Sequence, residues 1–585
     1  MTLQSIGALW LVAALSAAAL AGEPGQPSPS PGDRPELAAL REDLRARGAA
    51  ACDQGKWAEA LAIHERLTVV DPDYGFGWMG LGWSRQYSGD PRRAVEAYEK
   101  VLALGGMPAG RILVHMAECW TDAGDNQGAL RDLARAVDAG FPRLDLLKTN
   151  RHFNAIRADS VMGPRFRDLI NDIDVSGMSR AQGWREDFRI IRKEARRLLY
   201  NASVVLPAIG FDAALDQLDR SADSAGDEAL EIGVMKLFRA MGDGHTQALP
   251  AEDRVVPVLW FKFVDGWFIT GAREAQSDLI WSQVLAIEGR APDDVLAMVE
   301  PLTSRDNLIR VQAQGAGLMR QPRVLHGLGV TASDHALRLR VRDHAGVERE
   351  VTLESVKPFT AVVRVPPGGG ELPIHIRRRD ELYWFQRLAG APAIYLQYNG
   401  CGEMDDRPLG PFCDELGRAL DEPDTRALIV DLRWNGGGNM FASTPLVDLI
   451  LAHPKLRRGR ALFVIAGRQT FSAAMLFAVQ MERYAHAIFV GEPTGSSPNF
   501  VGETNSFSLP YSRMRASISN LRWQPSTADD NRQWIAPQIR TPMSFAMWKQ
   551  GRDESAEAIL TVLDTPASQA TGESPTDQAG SALPR

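Results

Sequence analysis

Two patterns of apolar and polar positions alternate along residues 392–500. Short, almost wholly apolar runs are typical of buried strands, and they alternate with longer segments in which apolar residues recur at helical spacing. The apolar runs are PAIYLQYN, RALIVDLRWN, RALFVIAG and AIFVGE, and the helical segments are Leu409–Leu420, GGGNMFASTPLVDLILAH and TFSAAMLFAVQMERY. Because parallel strands buried on both faces are covered by helices, this region is predicted to be an α/β layer.

The chain before this region combines helices with short strands. The segment WREDFRIIRKEARRLLYNASVVL and the run from Phe211 to Met241 have helical periodicity. Strands around one helix are predicted next, from VVPVLWFKFVDGWFITGA, LIWSQVLAIEGRAPDDVLAMVEPL and ALRLRVRDHAGVEREVTLES. The last two resemble a degenerate PDZ domain, with an I-x-G turn at Ile287–Gly289 and a strand pair around Gly346. They contain no clear carboxylate-binding loop of the GLGF type, so peptide binding there is left open.

Residues 35–145 repeat at a period near 34 residues. Gly55, Gly89 and Gly124 begin equivalent turns that are 34 and 35 residues apart. The pattern resembles tetratricopeptide repeats (TPR), and the middle unit carries Trp78, Leu81, Gly82, Ala94 and Tyr98 at the expected offsets. Each unit is predicted to be a helical hairpin, and three units stack into a superhelix. The concave face of such an array commonly holds a protein partner, so docking and simple packing against the next domain both stay open.

Length and charge restrict the function classes. The chain has 585 residues and a mass of 64.1 kDa, which is enough for about three to five domains. With 65 Lys and Arg against 73 Asp and Glu, the net charge is -8 and the pI is near 5.8. No overall basic field exists to hold a polyanion, so nucleic acid is excluded as an expected partner.

The N-terminus has the pattern of a secretory signal. Residues 6–21 are apolar, and Ala19 and Ala21 form an A-x-A cleavage pattern, which predicts cleavage after Ala21. The alternative is an apolar N-terminal helix, since the first five residues contain no Lys or Arg. No other apolar run reaches the ~20 residues of a membrane span. The mature chain is therefore expected to be periplasmic or secreted, with no integral membrane segment.

The four cysteines do not form a disulfide scaffold or a metal motif. Cys401 and Cys413 are close enough in sequence to form a disulfide in an oxidising compartment. The sequence is equally consistent with two separate thiols.

The domain organisation follows from these patterns. We predict a signal peptide (1–21), a Pro-rich linker (22–34), tetratricopeptide repeats (35–145), a helical joint (146–182), a helical segment (183–255), a degenerate PDZ-like domain (256–356), an α/β core (357–564) and a disordered tail (565–585).

Two strand ends in the α/β region carry candidate chemistry. Asp431–Gly438 reads DLRWNGGG, where glycines are predicted to open a helix and to let backbone N–H groups approach a ligand oxygen. Ser472 lies at the next strand-to-helix turn, in Thr470–Ala474. The N–H groups near Gly437 and of Ala473 are therefore candidates for an oxyanion hole.

These motifs resemble the C-terminal-processing, or tail-specific, family of serine proteases. The resemblance extends from about residue 185 to 560 and rests on ALIVDLRWNGGG, RQTFSAAM and AIFVGEPTG in the family's order and spacing. It implies a crotonase-like α/β core in residues 357–564, with Ser472 as the nucleophile. Asp243–Thr246, in MGDGHT, matches a recurring upstream motif of the family.

One departure bears on the mechanism. Family members with a Ser–Lys dyad keep a lysine where this chain has Ser497, and no Lys occurs between Lys455 and Lys549. The resemblance therefore points to the tricorn-like branch, which takes its base from the motif corresponding to DGHT. A serine needs such a base to become a nucleophile near neutral pH, so His245 is the expected general base. Gly244 stands where that branch has an additional serine.

The orienting acid is less defined. In the tricorn-like branch it lies shortly before a Pro-containing strand, and this implies Asp530, with Asp529 and Glu503 as alternatives.

The expected reaction is peptide hydrolysis through an acyl-enzyme on Ser472, and neither a metal nor an organic cofactor is implied. The expected substrate is a polypeptide, with a protein partner on the concave face of the repeats as a further expectation. Two other functions are weighed. A non-catalytic peptide-binding scaffold could keep the protease fold, and a crotonase-type enzyme acting on acyl-CoA would share the oxyanion hole but would not need a serine at the turn.

Overall fold

The computed structural model describes residues 35–360, 362–457 and 459–564. The predicted signal peptide, Pro-rich linker and disordered tail (1–21, 22–34 and 565–585) lie outside the described residues. The described residues divide into two compact units, one within Met1–Ala225 and Glu503–Asn520 and the other within Gly226–Gly502 and Leu521–Arg585. The boundary at residue 225 falls inside the segment 183–255 that the sequence suggested as one part.

The first unit is mainly helical. Its helices are α1 (Pro35–Asp53), α2 (Trp57–Val70), α3 (Gly75–Tyr87), α4 (Pro91–Leu104), α5 (Ala109–Asp122), α6 (Asn126–Asp138), α7 (Leu144–Thr149), α8 (Asn154–Ala158), α9 (Met162–Leu169), α10 (Arg180–Leu198), α11 (Ala202–Ala208) and α12 (Phe211–Ser221), with a 3₁₀ turn at Arg151–Phe153.

The repeated glycines mark equivalent turns in this unit. Gly55, Gly89 and Gly124 each lie two residues after a helix end, with φ values of 69°, 86° and 80°. Glycine adopts this left-handed backbone without strain, which ends one helix and lets the next begin. The side chains of Asp90 and Asp125 then accept the Arg93 and Gly128 N–H groups at the starts of α4 and α6. Helices therefore occupy 35–145 at the spacing that the repeat predicts.

Gly82 allows α3 and α4 to approach closely. A Cβ atom at Gly82 would lie 2.4 Å from Cε1 of Tyr98, whose side chain is fully buried. The Tyr98 hydroxyl donates to Gln86 Oε1 at 2.9 Å, so the ring is held at both ends. Gly82 thus makes room for an aromatic ring that cannot move away.

We expect Gly82→Ala to destabilise the helical unit by about 1–3 kcal/mol, because the added methyl overpacks against Tyr98. The measurement is the thermal unfolding midpoint of the full chain. Gly75→Ala in the same helix is the matched control, since its Cβ would meet only Met107 Cε at 3.6 Å. Equal midpoints for the two variants would contradict the packing argument.

The second unit contains two large sheets. Its helices are α13 (Asp227–Ala240), α14 (Pro292–Val299), α15 (Ile309–Leu318), α16 (Pro322–Gly327), α17 (Leu409–Asp421), α18 (Thr444–Ala452), α19 (Ala473–Arg483), α20 (Phe545–Trp548) and α21 (Glu554–Asp564), with 3₁₀ turns at Glu274–Leu279, Glu300–Leu302, Ile374–Ile376 and Met440–Ser443. The strands of the described residues are β1 (Gln247–Leu249), β2 (Val258–Phe263), β3 (Gly266–Ala272), β4 (Gln283–Ile287), β5 (Ala336–Arg342), β6 (Glu348–Glu354), β7 (Tyr383–Arg387), β8 (Ala393–Tyr398), β9 (Ala427–Asp431), β10 (Leu462–Ala466), β11 (Ile488–Gly491), β12 (Phe500–Ser508), β13 (Arg515–Trp523) and β14 (Ile539–Arg540).

The first sheet of this unit is antiparallel and has the order β2-β3-β4-β5-β6. After β4, Glu288 and Gly289 adopt φ values of 51° and 76°, which form the tight turn expected at Ile287–Gly289. Helices α14 to α16 follow, and β5 and β6 form a hairpin whose turn contains Gly346 with φ 87°. The predicted strands around a helix are therefore present, although three helices lie between β4 and β5.

The second sheet has the order β14-β11-β10-β9-β8-β7 and is parallel except for the β7–β8 pair. Every residue of β8, β9 and β10 is buried. Their apolar side chains pack against α17, α18 and α19 in a core that includes Leu416, Ile450 and Phe477. The prediction of a mixed α/β layer with buried parallel strands is confirmed.

A buried ionic network fixes the end of β9. Arg433 donates to Asp431 Oδ1 through Nε at 3.0 Å and to Asp553 Oδ2 through Nη2 at 2.9 Å. The three side chains are almost fully buried, so each charge needs its partners to offset the loss of hydration. The network joins the start of α21 to the strand that leads into the glycine-rich loop.

Cys401 and Cys413 do not form a disulfide. All four cysteines lie among the described residues and are free, so the alternative of separate thiols at Cys401 and Cys413 is the one observed. Burial raises the pKa of Cys413 to about 12. Over residues 35–564, apart from 361 and 458, no helix combines the length and the apolar character that crossing a bilayer requires.

Candidate active site

Ser472 lies at a strained turn between β10 and α19. Its φ of 57° and ψ of -127° are unusual for a residue other than glycine, and α19 begins at the next residue. Such strain persists where the surrounding packing holds it, and a sharp strand-to-helix turn presents the side chain of a nucleophile at the edge of a sheet. The half-buried Ser472 side chain makes no capping hydrogen bond to α19. The predicted location of the serine is thus observed.

The glycine-rich loop passes directly beside this serine. A Cβ atom at Gly437, where φ is 108°, would lie 2.6 Å from Ser472 Cβ and 3.0 Å from the Ala473 nitrogen. The structure therefore brings together Gly437, Ser472 and Ala473, as the oxyanion-hole hypothesis requires. The Gly437 N–H, however, donates to Asn435 Oδ1 at 2.9 Å within the loop.

The prediction that these glycines open a helix is wrong. Helix α18 begins only at Thr444, and the loop instead pairs with the segment after β8. The Cys401 N–H donates to Gly437 O at 2.9 Å, and the Asn439 N–H donates to Cys401 O at 2.7 Å. This bridge pairs the loop with the segment after β8, so the glycines themselves do not begin a helix.

Asn435 connects three parts of the site, and the sequence analysis assigned it no role. Its side chain is fully buried and donates to Tyr398 O at 3.0 Å. Its backbone carbonyl accepts the Phe471 N–H at 3.1 Å, one residue before Ser472. The end of β8, the glycine-rich loop and the serine turn are thereby fixed to one side chain. In the sequence, the only indication of this role is the position of Asn435 immediately before three glycines.

His245 lies on the loop that follows α13. The Asp243 carboxylate accepts the backbone N–H groups of His245 and Thr246 at 2.8 and 2.7 Å, which shapes the loop. The imidazole stacks on Phe471 with ring centroids 4.3 Å apart and on Phe500 at 5.6 Å. Since Phe471 immediately precedes Ser472, the stacking places the imidazole at the serine turn.

A backbone carbonyl defines the tautomer of His245. Nδ1 lies 3.1 Å from Val501 O, and a carbonyl only accepts hydrogen bonds, so we assign the proton to Nδ1. Nε2 then carries the lone pair that a general base needs. Val501 lies 256 residues away in the chain, and no local pattern could have identified it.

Burial lowers the pKa of His245 to about 4, although the Asp243 charge acts to raise it. The cationic Arg310 acts in the same direction as burial. The imidazole is therefore neutral across the physiological pH range, whereas an ordinary histidine is partly protonated near pH 6.5. A neutral imidazole is the form that accepts a proton.

The Asp530 carboxylate is held by its own loop. It accepts from Ser526 Oγ at 2.6 Å, from Arg532 Nε at 3.0 Å and from Arg532 Nη2 at 2.8 Å. These hydrogen bonds, with that of Arg532 first, hold the pKa of Asp530 well below its usual range. The two alternatives, Asp529 and Glu503, are exposed. The described hydrogen bonds give Asp530 a loop-closing role, and its role as orienting acid stays a prediction.

Ser497 stands at the position of the dyad lysine and has a different partner. Its hydroxyl donates to Gln533 O at 3.1 Å. Lys455, the nearest lysine before the serine in the chain, donates to main-chain carbonyl groups that include Leu420 O at 2.8 Å. The geometry at Ser497 therefore offers no base.

No protein-family model and no curated protein matches the chain. Among solved structures, it is similar to mature CPAF complexed with lactacystin, with 14% identity and a TM-score of 0.48 over 65% of this chain and 97% of that one. It is also similar to the photosystem II D1 C-terminal processing protease, with 12% identity and a TM-score of 0.34 over 67% of this chain and 98% of that one. For an S41 protease from Bacteroides fragilis, the identity is 14% and the TM-score is 0.28, over 55% and 87% of the two chains. The structural neighbours thus include C-terminal processing and S41 proteases.

Proposed function

We propose that this protein is a serine-type peptidase of the tail-specific family that hydrolyses peptide bonds through an acyl-enzyme on Ser472. The observation that carries the proposal is the strained Ser472 turn at the start of α19, with Gly437 packed directly against it. This arrangement suits acyl transfer, because the nucleophile and the backbone N–H donors of an oxyanion hole must face one carbonyl group. The stacking of His245 on Phe471 adds a neutral base at the same turn.

In the proposed reaction, Ser472 Oγ attacks the peptide carbonyl carbon while His245 Nε2 takes the hydroxyl proton. The C–N bond then breaks, and the imidazolium returns that proton to the leaving amine. Water attacks the acyl-enzyme in the same way, with its proton passing through His245 to Ser472. The N–H groups of Ala473 and the glycine-rich loop would bind the oxyanion, and the Gly437 N–H would exchange Asn435 Oδ1 for it.

Two groups are candidates for the acceptor that orients the imidazole of His245 through Nδ1. Val501 O already faces Nδ1 and supports the tautomer that the base needs. Asp530 is the acid proposed from the family resemblance, and it would have to exchange its Arg532 and Ser526 partners for Nδ1. The contacts favour Val501 O as the orienting acceptor of the free enzyme.

The finer features of the protein are proposals on the same basis. The helical hairpins of 35–145 would be tetratricopeptide repeats that dock a substrate or a partner protein, supported by the three equivalent glycine turns. The antiparallel sheet β2–β6 would be a degenerate PDZ-like domain, and the sheet β7–β11 with β14 a crotonase-like core. The apolar 6–21 segment would direct export to the periplasm or beyond.

The test is covalent labelling of purified full-length protein by a fluorophosphonate probe, with Ser472→Ala as the negative control. We expect one label per chain, located at Ser472 by peptide mass analysis and absent from Ser472→Ala. Ser497→Ala is the matched control and should label like the wild type, because Ser497 bonds only the Gln533 carbonyl among the described contacts. Absence of labelling in folded wild-type protein would instead favour the non-catalytic scaffold.

The pH dependence of labelling should reflect the buried imidazole. Since the pKa of His245 is lowered to about 4, the base stays neutral as the pH falls from 8 to about 5. Below that the imidazole gains a proton and loses its lone pair, so the rate should fall by half near pH 4. The measurement is the second-order labelling rate across pH 3.5–8 in protein shown to be folded at each pH. A midpoint near 6.5 would indicate a solvent-exposed histidine and contradict this geometry.

A further inference from the structure

Residues 304–310 contact three separate parts of the proposed site. The Ser304 hydroxyl donates to Thr246 O at 2.5 Å, on the loop that carries His245. Asn307 Nδ2 donates to Thr494 O at 3.1 Å and to Gln533 O at 2.7 Å. The segment is thus anchored both to the histidine loop and to the turn that follows β11. The sequence analysis assigned it no role.

Asp306 joins these two parts through one carboxylate. Its Oδ1 accepts the Gly244 N–H at 2.7 Å, one residue before His245, and its Oδ2 accepts the hydroxyl of Ser496. A Cβ atom at Gly244 would lie 3.0 Å from Asp306 Oδ1 and 2.7 Å from Phe471 Cε2. The absence of a side chain at Gly244 therefore lets the carboxylate and the Phe471 ring pack against the histidine loop.

Arg310 reaches the serine turn from the same segment. Its Cζ lies 4.0 Å from the centroid of the Phe471 ring, which also stacks on His245. A cation over an aromatic face is attractive, more so when it is shielded from water. The Arg310 backbone N–H donates to Asn307 Oδ1 at 3.2 Å, and Arg310 Cδ would be 3.5 Å from a Cβ atom at Gly495. The Phe471 ring, which stacks on His245, is thus covered by the Arg310 guanidinium.

We propose that Asp306 and Arg310 are positioning residues that hold His245 against the Ser472 turn, Asp306 through the Gly244 N–H and Arg310 through the Phe471 ring. The proposal rests on the peptidase function above. Neither residue touches the reacting atoms. Both act because a proton transfer is efficient only when the base is held within hydrogen-bond reach of the nucleophile.

Hydrogen bonding at Asp306 suggests a conservative variant. Burial raises the pKa of Asp306 to about 6. The protonated carboxyl keeps both contacts, since Oδ1 still accepts from Gly244 while Oδ2–H donates to Ser496 Oγ. Asparagine reproduces this arrangement with its carbonyl and amide groups. Asp306→Asn should therefore restore most of what Asp306→Ala loses.

The first experiment compares Asp306→Ala with Asp306→Asn. The wild type is first shown to label at Ser472, so that failure of the peptidase proposal is recognised separately. The limiting inactivation rate and the half-saturating fluorophosphonate concentration are then measured for each folded variant. We expect Asp306→Ala to lower the limiting rate about tenfold to a hundredfold, because the histidine loop loses the acceptor of its Gly244 N–H and holds the base less firmly. The half-saturating concentration should stay unchanged, and Asp306→Asn should recover most of the rate.

The second experiment uses charge at Arg310. The charged groups that influence His245 are Asp243 on its own loop and Arg310 over Phe471. Removing the cation in Arg310→Gln should shift the acid midpoint of labelling to higher pH, because protonation of His245 is then less opposed. Arg310→Lys retains the charge without the planar stacking, so its midpoint should stay close to that of the wild type. A midpoint raised equally in Arg310→Gln and Arg310→Lys would instead indicate looser packing around His245, because burial is the main cause of its low pKa.

The proposal is overturned if wild type, Asp306→Ala and Arg310→Gln label at equal limiting rates with equal acid midpoints. It is also overturned if Asp306→Asn is as slow as Asp306→Ala at equal folded fraction. If Asp306→Ala does not fold, the other variants still decide. A slow Asp306→Asn would refute the role of Asp306. Unchanged limiting rates and unchanged midpoints in both Arg310 variants would refute the role of Arg310.

Discussion

Replacing His245 by alanine is expected to slow the labelling of Ser472 by about 10⁴-fold or more at pH 7, because the only described imidazole stacked on the serine turn is then lost. The serine would remain in its strained conformation, since that turn depends on Asn435 and the glycine-rich loop. The measurement is the second-order rate with the fluorophosphonate probe, together with the thermal midpoint of each variant.

The matched control is His486→Asn. His486 is exposed and lies only 14 residues after Ser472 in the sequence, but it follows the far end of α19. Residue 486 has a left-handed backbone with φ 51°, which asparagine adopts readily, so the variant should keep the fold. We expect the control to label at the wild-type rate. Equal rates for His245→Ala and the wild type would remove His245 from the mechanism.

The second large effect is expected at Gly437. Alanine there places a methyl carbon 2.6 Å from Ser472 Cβ and forces a side chain into a backbone with φ 108°. The loop must then move away from the serine, and loss of an oxyanion donor typically lowers the rate about 10²- to 10³-fold. We expect Gly437→Ala to label at least 100-fold more slowly while α19 and the parallel sheet stay folded.

Gly436 provides the comparison for this effect. A Cβ atom at Gly436 meets nothing within 4 Å, and its φ lies outside the left-handed region. Gly436→Ala should therefore change the rate little. If both variants label equally well, close packing at Gly437 has no part in catalysis.

The surroundings of His245 have a further chemical consequence. A carbonyl at Nδ1 fixes the tautomer but offers no negative charge to an imidazolium, unlike a carboxylate. The low pKa of His245, caused first by burial, agrees with this arrangement. The base is available at acidic pH, at the cost of a weaker affinity for the proton that it must accept.

Local sequence patterns were sufficient for most of the secondary structure around the site, with the helix expected at the three glycines as the exception. The glycines of the repeats predicted the helix turns of 35–145, and the apolar runs predicted β8, β9 and β10 as buried strands. Leu409–Leu420 was predicted as a helix, and α17 covers Leu409–Asp421. The placement of Ser472 at a strand-to-helix turn was predicted in the same way, because capping and periodicity act over a few residues.

The contacts within the site depend on residues far apart in the chain. The three glycines were expected to begin a helix. Instead, Gly438 forms a parallel β-bridge with Cys401, because the segment after β8 supplies backbone hydrogen-bond partners. The acceptor at Nδ1 of His245 comes from Val501, and the acceptor of the Gly244 N–H comes from Asp306, 62 residues away.

The sequence by itself therefore determined the helices, the parallel strands and the candidates Ser472 and His245, since these depend on short-range spacing and residue type. Only the tertiary structure decided which groups surround those candidates: Asn435 and Gly437 at the serine, Phe471 and Val501 at the histidine. It also decided the direction of the His245 pKa, because burial and neighbouring charge exist only once distant segments pack together.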